Sequence, residues 1–146
     1  MEEFIISDEK SKLDLKLILK FLTNSYRGKG RTFEEVKTSN ENCLCFGIYA
    51  ENKQVGFARI LTDYVIFAYL MDVFIVEEFR GRGLSKKLLE RIFQDERLFK
   101  IKRWMLATSD AHSLYQKFGF KPVENPEIYI IRSNDAAKVQ PLQLSL

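Results

Sequence analysis

The residues with the clearest chemical potential form a short turn, Arg80-Gly81-Arg82-Gly83-Leu84-Ser85. Two glycines separated by one residue let the backbone turn sharply, with no Cβ to block a close ligand. The amides that open a helix after such a turn have no internal acceptors and lie at the positive end of the helix dipole, so they attract anions. Arg80 and Arg82 add charge, and Ser85 can donate its hydroxyl. The turn therefore suits a pyrophosphate, although the same pattern also occurs as a simple tight connection.

Two other phosphate-binding motifs can be excluded from the sequence. The chain contains no Gly-x-x-x-x-Gly-Lys-Ser/Thr segment, which is the pattern of a P-loop. The turn also lacks the third glycine that completes the dinucleotide-binding fingerprint of a Rossmann fold. An anion bound here is therefore held in neither of those two ways.

The elements that position the turn follow from the hydrophobic pattern. The apolar run Phe67–Val76 predicts a strand covered on both faces, and Gly83–Phe93 has apolar residues at helical spacing. The turn joins these two elements. The other predicted elements are a strand at Phe4–Ile6, a helix from Leu13 to about Asn24, a helix that begins at the capping box of Thr32 and Glu35, strands at Leu44–Ala50, Gln54–Leu61, Trp104–Ala107 and Ile128–Ile131, and a helix at Ala111–Phe118 capped by Gly119.

This order of elements predicts an α/β (α+β) fold with a mixed, largely antiparallel sheet and helices on both faces. A chain of 146 residues fits one hydrophobic core. We expect a single domain over residues 1–133 and a polar tail over 134–146. Charged residues make up 29% of the chain and hydrophobic residues 46%, which are ordinary values for a globular protein.

Charge and hydropathy argue against several classes of function. A net charge of +3 is too mild for a typical nucleic-acid protein. No apolar run approaches the roughly 20 residues that cross a bilayer, and the acidic start lacks the pattern of a signal peptide, so we expect a cytoplasmic protein without membrane contact. Cys43 and Cys45 with the lone His112 do not make a four-ligand metal set, so we expect reduced, packed thiols and no metal.

The turn and a second motif together resemble the GNAT family of N-acetyltransferases. The turn, with the strand before it and the helix after it, is similar to the family's Gln/Arg-x-x-Gly-x-Gly/Ala motif, with Glu78 in place of the first Gln/Arg. Ala111–Phe120 resembles the family's later helix, Ala-x-x-Leu-Tyr-x-Lys-x-Gly-Phe, at the interval of about thirty residues that the family shows. The resemblance covers about residues 3–132. More narrowly, segments such as Val55–Arg59 look like a bacterial branch of small acetyltransferases.

The resemblance implies acetyl-coenzyme A as cosubstrate and acetyl transfer to a primary amine. If the chain associates with itself, we expect a homodimer. The strand segment before the turn would pair with the pantetheine arm, and the turn would hold the pyrophosphate. The residues implied in cofactor binding are Val73, Phe74, Ile75, Arg80, Gly81, Arg82, Gly83, Leu84, Ser85 and Lys86.

The family reaction is direct transfer, in which a neutral amine attacks the thioester and the thiolate that leaves must be protonated. Tyr115 aligns with the tyrosine that often serves as this general acid, and a phenol with a pKa near 10 keeps its proton at neutral pH. The alternative is that Tyr115 only packs. Asp72, a carboxylate within an apolar strand, must be paired or functional, because burying it alone is costly. Asp72, His112 and Asp63 are the candidate bases, and a lone helical histidine is more often structural.

The acceptor is expected near the loop between the first two helices, residues 26–33. Its arginines could attract a carboxylate or phosphate on the acceptor, although a solvated turn is the simpler interpretation. The candidate substrate residues are Tyr26, Arg31, Asp63 and Tyr64.

Four functions remain open at this point. The leading hypothesis is acetylation of a primary amine on a small molecule. The alternatives are acetylation of a protein N-terminus or lysine, and a coenzyme-A-binding sensor without turnover. Nucleic-acid binding through the basic helix end is the weakest, because coenzyme A already explains those charges.

Overall fold

The computed structural model describes residues 3–25 and 30–134. They form a five-stranded sheet with helices on both faces. The strands are β1 (Phe4–Ser7), β2 (Leu44–Ala50), β3 (Lys53–Thr62), β4 (Phe67–Ile75) and β5 (Arg103–Met105), and the helices are α1 (Leu15–Thr23), α2 (Phe33–Glu41), α3 (Leu84–Phe93) and α4 (His112–Gln116).

The sheet has the order β1-β2-β3-β4-β5. The first four strands pair in antiparallel fashion, and β5 pairs with β4 in parallel. Two cores lie on opposite faces of the sheet: α3 packs on one through Leu88 and Leu89, and α1 and α2 pack on the other through Ile18 and Val36. The predicted fold class, a mixed and largely antiparallel sheet covered by helices, is therefore confirmed.

A β-bulge interrupts β4 at Asp72. Between the pairs Phe57–Phe74 and Arg59–Met71, β3 supplies one residue and β4 supplies two. Asp72 adopts a left-handed φ of 57°. Aspartate enters this region more readily than most residues, which makes it a suitable residue for such a bulge.

The bulge changes which side chains of β4 share a face. Leu70 before it and Ile75 after it both lie in the core beneath α3, whereas an unbroken strand would place them on opposite faces. Phe74 consequently lies in the other core, where its ring stacks on Phe21 of α1 at a centroid distance of 4.0 Å. The bulge thus reverses the faces of the sheet to which the side chains point in the half of β4 that leads into the turn.

The helix starts follow local rules. Thr32 caps α2 with a capping box, since its hydroxyl accepts from the Glu35 amide at 3.1 Å and the Glu35 carboxylate accepts from the Thr32 amide at 2.9 Å. The helix predicted after Thr32 is therefore confirmed. None of the helices in the described part of the chain is long and apolar enough to cross a bilayer.

The strand predicted at Ile128–Ile131 is wrong. A 3-10 turn at Pro126–Ile128 occupies its start, and residues 129–134 form no strand. The amides of Ile128 and Tyr129 donate to the carbonyls of Asn125 and Pro126, each at 3.2 Å, and so are withheld from a ladder. Of the predicted tail, residues 135–146 lie outside the described residues.

Candidate active site

The turn between β4 and α3 has the backbone geometry of an anion site. Gly81 and Gly83 have φ values of 78° and 73°, in the left-handed region that glycine enters without strain. The first backbone hydrogen bond of α3 runs from the Lys87 amide to the Gly83 carbonyl at 3.1 Å, so the amides of residues 84–86 lie ahead of the helical ladder. A Cβ built on either glycine meets no atom within 4 Å. The turn is therefore open to the approach of an oxyanion at both glycines.

Both arginines of the turn brace it against neighbouring backbone. The Arg80 guanidinium donates from Nε to the carbonyl of Ile75 at 3.1 Å, which ties the turn to the end of β4. Arg82 donates to the Glu78 carbonyl at 3.3 Å, and its guanidinium lies 4.8 Å from the ring centroid of Phe79. These contacts hold the two guanidinium groups, and therefore their positive charge, beside the turn.

A cavity of about 420 Å³ opens over the turn, and we call it the turn cavity. It is lined by nine of the ten residues implied in cofactor binding by the sequence, and Arg82 is the one outside it. Its lining residues are Phe21, Val73, Phe74, Ile75, Phe79, Arg80, Gly81, Gly83, Leu84, Ser85, Lys86, Ala111, Leu114 and Tyr115.

A second cavity results from the way β4 and β5 diverge. Their parallel pairing ends at Tyr69 and Met105, while both chains continue beyond this point. The space between residues 70–73 and 106–111 forms a cavity of about 420 Å³, which we call the splay cavity. Its lining residues are Phe21, Leu22, Ser25, Leu70, Met71, Asp72, Val73, Leu106, Ala107, Thr108, Ser109, Asp110, Ala111 and Tyr115.

The turn cavity and the splay cavity meet at Tyr115. They share four lining residues, Phe21, Val73, Ala111 and Tyr115, and Tyr115 alone among these carries an ionisable group. Burial, together with the nearby Asp110 carboxylate, raises the pKa of the Tyr115 phenol above its ordinary value. The phenol is therefore held in its protonated form at the junction, where it can donate a proton.

Comparison with known proteins places this arrangement in a family. Residues 41–122 match the sequence model described as an acetyltransferase (GNAT) domain. The chain belongs to the GNAT family. Members of this family use acetyl-coenzyme A, and the matched range contains both the turn and Tyr115.

Relatives cover the chain to different extents. A crystal structure of a GNAT-family protein from Xanthomonas campestris pv. campestris superposes with a TM-score of 0.87 at 39% identity, covering 91% of this chain and 94% of that one. The spermine/spermidine N(1)-acetyltransferase of Bacillus subtilis (strain 168) is 35% identical over 91 residues, covering 51% of this chain and 57% of that protein.

A eukaryotic relative also occurs. An uncharacterized N-acetyltransferase of Pyropia yezoensis is 37% identical over 79 residues, covering 53% of this chain and 44% of that protein. The narrower assignment to a small bacterial branch is therefore not confirmed. The chain spans about half the length of the curated relatives it matches.

Asp72 lies in the wall of the splay cavity and is paired with two arginines. Its Oδ2 accepts from Arg31 Nη1 and from Arg59 Nε, each at 2.8 Å. Burial by itself lowers the pKa of Arg59, but the Asp72 carboxylate and the Cys43 side chain together more than offset this, and the pKa is raised. Of the two sequence interpretations, paired or functional, the structure thus shows the pairing. Both of these contacts join the Asp72 carboxylate to positively charged side chains.

We expect Asp72→Asn to lower the free energy of unfolding by about 3–5 kcal/mol, because it leaves the buried Arg59 without a counter-charge. Asparagine keeps the shape and tolerates the left-handed backbone, so the loss would report the charge pair. Urea denaturation measures the change. Asp110→Asn, at an exposed carboxylate of the same cavity, is the control and should leave stability unchanged. Equal stability of Asp72→Asn and the wild type would contradict the role of Asp72 as the counter-charge of Arg59.

The other predicted site residues lie away from the junction. Asp63 caps the β3–β4 hairpin, where its Oδ1 accepts from the amides of residues 65–67 at 2.8–3.1 Å, and these bonds lower its pKa. Tyr64 is exposed at the same tip with a φ of 67°. His112 is exposed at the start of α4 and lines neither cavity. Tyr26 lies outside the described residues.

Among the residues that line the two cavities, Phe21, Asp110, Ala111 and Leu114 were not predicted as site residues from the sequence. Phe21 comes from α1, Ala111 and Leu114 come from α4 and its approach, and Asp110 comes from the loop before it. The signal for Ala111 and Leu114 was present, because both are fixed positions of the motif that contains Tyr115. Phe21 is indistinguishable from the other apolar residues of its helix until the fold places it beside Phe74.

Proposed function

We propose that this protein transfers the acetyl group of acetyl-coenzyme A to the primary amine of a small molecule by direct attack. The observation that carries the proposal is the meeting of two cavities at a buried, protonated Tyr115. One cavity has the anion-binding turn at its end, and the other is lined by carboxylates. The shared wall is the place where a thioester and an amine would come together.

Each group of residues has a distinct part in this proposal. Bound acetyl-coenzyme A supplies a thioester, whose carbonyl carbon is attacked by the amine nitrogen and whose sulfur leaves as a thiolate. The amides of residues 84–86 hold the pyrophosphate, assisted by Arg80. The backbone of Val73–Ile75 faces the pantetheine arm. Tyr115 donates its phenolic proton to the sulfur and recovers one from solvent.

The amine must lose a proton, and the Asp72 carboxylate is already engaged by Arg31 and Arg59. We propose that Asp72 instead holds Arg31 and Arg59 at the wall of the splay cavity, and that the proton leaves to water in that cavity. Arg31 Nη1 lies 2.8 Å from the Asp72 carboxylate and is the more exposed of its two arginine partners. No arginine or lysine is among the described residues that line the splay cavity, whereas Asp72 and Asp110 both are. Because two arginines already balance Asp72, it is the exposed Asp110 carboxylate that favours a cationic acceptor.

The Bacillus subtilis relative is named for spermine and spermidine, and an ammonium group of that class would be attracted to the exposed Asp110 carboxylate. Polyamines therefore come first in an acceptor screen, followed by other small amines, amino acids and peptides. We place the protein in the cytoplasm, as the sequence predicted.

The test combines binding and turnover. Calorimetry should show that the intact protein binds acetyl-coenzyme A, and an assay of released thiol should respond to at least one small amine. Turnover with peptides alone would indicate that the acceptor is a protein and not a small molecule. Binding without turnover across the whole panel would favour the sensor, and absence of binding would refute the proposal.

A further inference from the structure

The side chain of Phe21 lies where the turn cavity and the splay cavity meet. It is one of four residues that line both cavities, together with Val73, Ala111 and Tyr115, and it is the largest apolar side chain of the four. Phe21 comes from α1, whereas the other three come from β4 and from α4 and its approach. On the α1 side, the space at the junction is therefore limited by this one ring.

The Phe21 ring is held in place by a row of aromatic neighbours. It stacks on the ring of Phe74 at a centroid distance of 4.0 Å and an interplanar angle of 14°. Phe74 packs in turn against the fully buried Phe57, with the two ring centroids 5.8 Å apart. Phe21 would lose its stacking if it turned away from the junction, so we expect its ring to stay there.

The helix that carries Phe21 is anchored by other residues. Ile18 and Leu22 of α1 are buried in the core between the helix and the sheet. At the start of α1, the Asp14 amide donates to the side-chain oxygen of Gln54 at 2.7 Å, which ties the helix to β3. A smaller residue at position 21 would therefore leave open space beside the junction, because sites with fixed surroundings collapse only in part.

We propose that Phe21 determines the length of the acyl group that this protein accepts from coenzyme A, and that it selects acetyl against longer groups. The inference rests on the proposed function, in which the thioester lies at the wall shared by the two cavities. The carbon chain of the acyl group then begins beside Phe21. A longer chain meets the ring on the α1 side and is directed into the splay cavity, where it occupies the space of the amine.

The chemical step is the same for every acyl group. The amine nitrogen forms a bond to the carbonyl carbon, the carbon–sulfur bond breaks, and the thiolate takes the phenolic proton of Tyr115. The nitrogen loses a proton to water, and Tyr115 recovers one from solvent. Additional methylene groups take no part in the bonds that form and break. Discrimination between acyl groups therefore reports the space around the chain.

Steady-state kinetics with acetyl-, propionyl- and butyryl-coenzyme A test the inference, with the best amine of the screen as acceptor. We expect kcat/KM of the wild type to fall by at least about tenfold from acetyl to butyryl, within the range of about 10- to 200-fold that one methylene group is worth in an apolar site. Phe21→Ala should reduce this acetyl preference by about tenfold, because the longer chain can enter the vacated space.

Leu19→Ala is the matched control for the kinetic experiment. Leu19 belongs to the same helix and packs against the same core as Phe21, but it lines neither cavity, so the acetyl preference should stay that of the wild type. Phe21→Leu removes less volume than Phe21→Ala and keeps an apolar side chain, so it protects the test against loss of folding. A wild type that uses butyryl as well as acetyl, an unchanged preference in both Phe21 variants, or an equal change in Leu19→Ala would overturn the inference.

A binding measurement separates this inference from the proposed function. Calorimetry with butyryl-coenzyme A needs no acceptor, and Phe21→Ala should bind it about tenfold more tightly than the wild type does, because the two additional methylene groups become buried. The affinity for acetyl-coenzyme A should stay close to that of the wild type. Absence of acetyl-coenzyme A binding by the wild type would refute the proposed function and the inference together. Acetyl transfer by the wild type, with equal binding of butyryl-coenzyme A to both proteins, would overturn the inference alone.

Discussion

Replacing Tyr115 with phenylalanine should lower the turnover number by about 100-fold, the lower end of what a positioned general acid contributes. The ring fills the same buried space and keeps its edge contact with Phe120, so the structure of the junction should survive. Only the proton donor to the leaving thiolate is lost. The dissociation constant of acetyl-coenzyme A should therefore stay close to that of the wild type.

The pH dependence sharpens this prediction. Since the pKa of Tyr115 is raised above about 10, its neutral form persists across the whole working range, and ionisation of the phenol removes the acid only above that pH. Wild-type turnover should not fall through loss of this proton between neutral pH and 10. Steady-state kinetics with the best amine of the screen provide the measurement. Tyr64→Phe, at the exposed hairpin tip, is the control, and equal turnover of the two variants would remove Tyr115 as the acid.

Gly83→Ala should weaken binding of acetyl-coenzyme A by about tenfold, because an alanine in the left-handed region costs about 1–2 kcal/mol. The variant relieves that strain by leaving this backbone conformation, which turns the amides of residues 84–86 away from the cradle. Binding then has to restore the strained conformation. The added methyl group also stands in the open space that a phosphate would approach.

Gly119→Ala provides the matched control for this binding experiment. Gly119 has a φ of 90°, and a Cβ there likewise meets no atom within 4 Å, so the strain is similar. It lies after α4 and lines neither cavity of the candidate site. Calorimetry should show a weaker affinity for Gly83→Ala and an unchanged one for Gly119→Ala. Equal losses in both would mean that the turn has no special part in binding.

The comparison of sequence and structure is clearest at β4. The apolar run Phe67–Val76 correctly predicted a strand covered on both faces. It did not reveal the bulge at Asp72, because one additional residue leaves the run apolar and changes only which neighbour each side chain meets. The pairing of Asp72 with Arg31 was likewise hidden, since the two residues are 41 positions apart in the chain.

The last predicted strand shows the opposite case, in which a strand-like sequence forms no strand. Ile128–Ile131 has the composition of a strand, and strand propensity expresses how well a segment fits a half-buried sheet. Whether such a surface is available depends on the turn at Pro126 and on the space beside β5. Neither is visible in four apolar residues.

The sequence by itself determined the order of the elements from β1 to α4, the glycine turn at the start of α3 and the motif that contains Tyr115. These features depend on hydrophobic periodicity and on the backbone freedom of glycine, which are properties of neighbouring residues. Only the tertiary structure decided that β4 and β5 diverge after Tyr69, that Phe21 closes the junction and that Asp72 is held by two arginines. Those outcomes depend on contacts between distant segments, where packing across the whole sheet selects one arrangement from many that the local sequence allows.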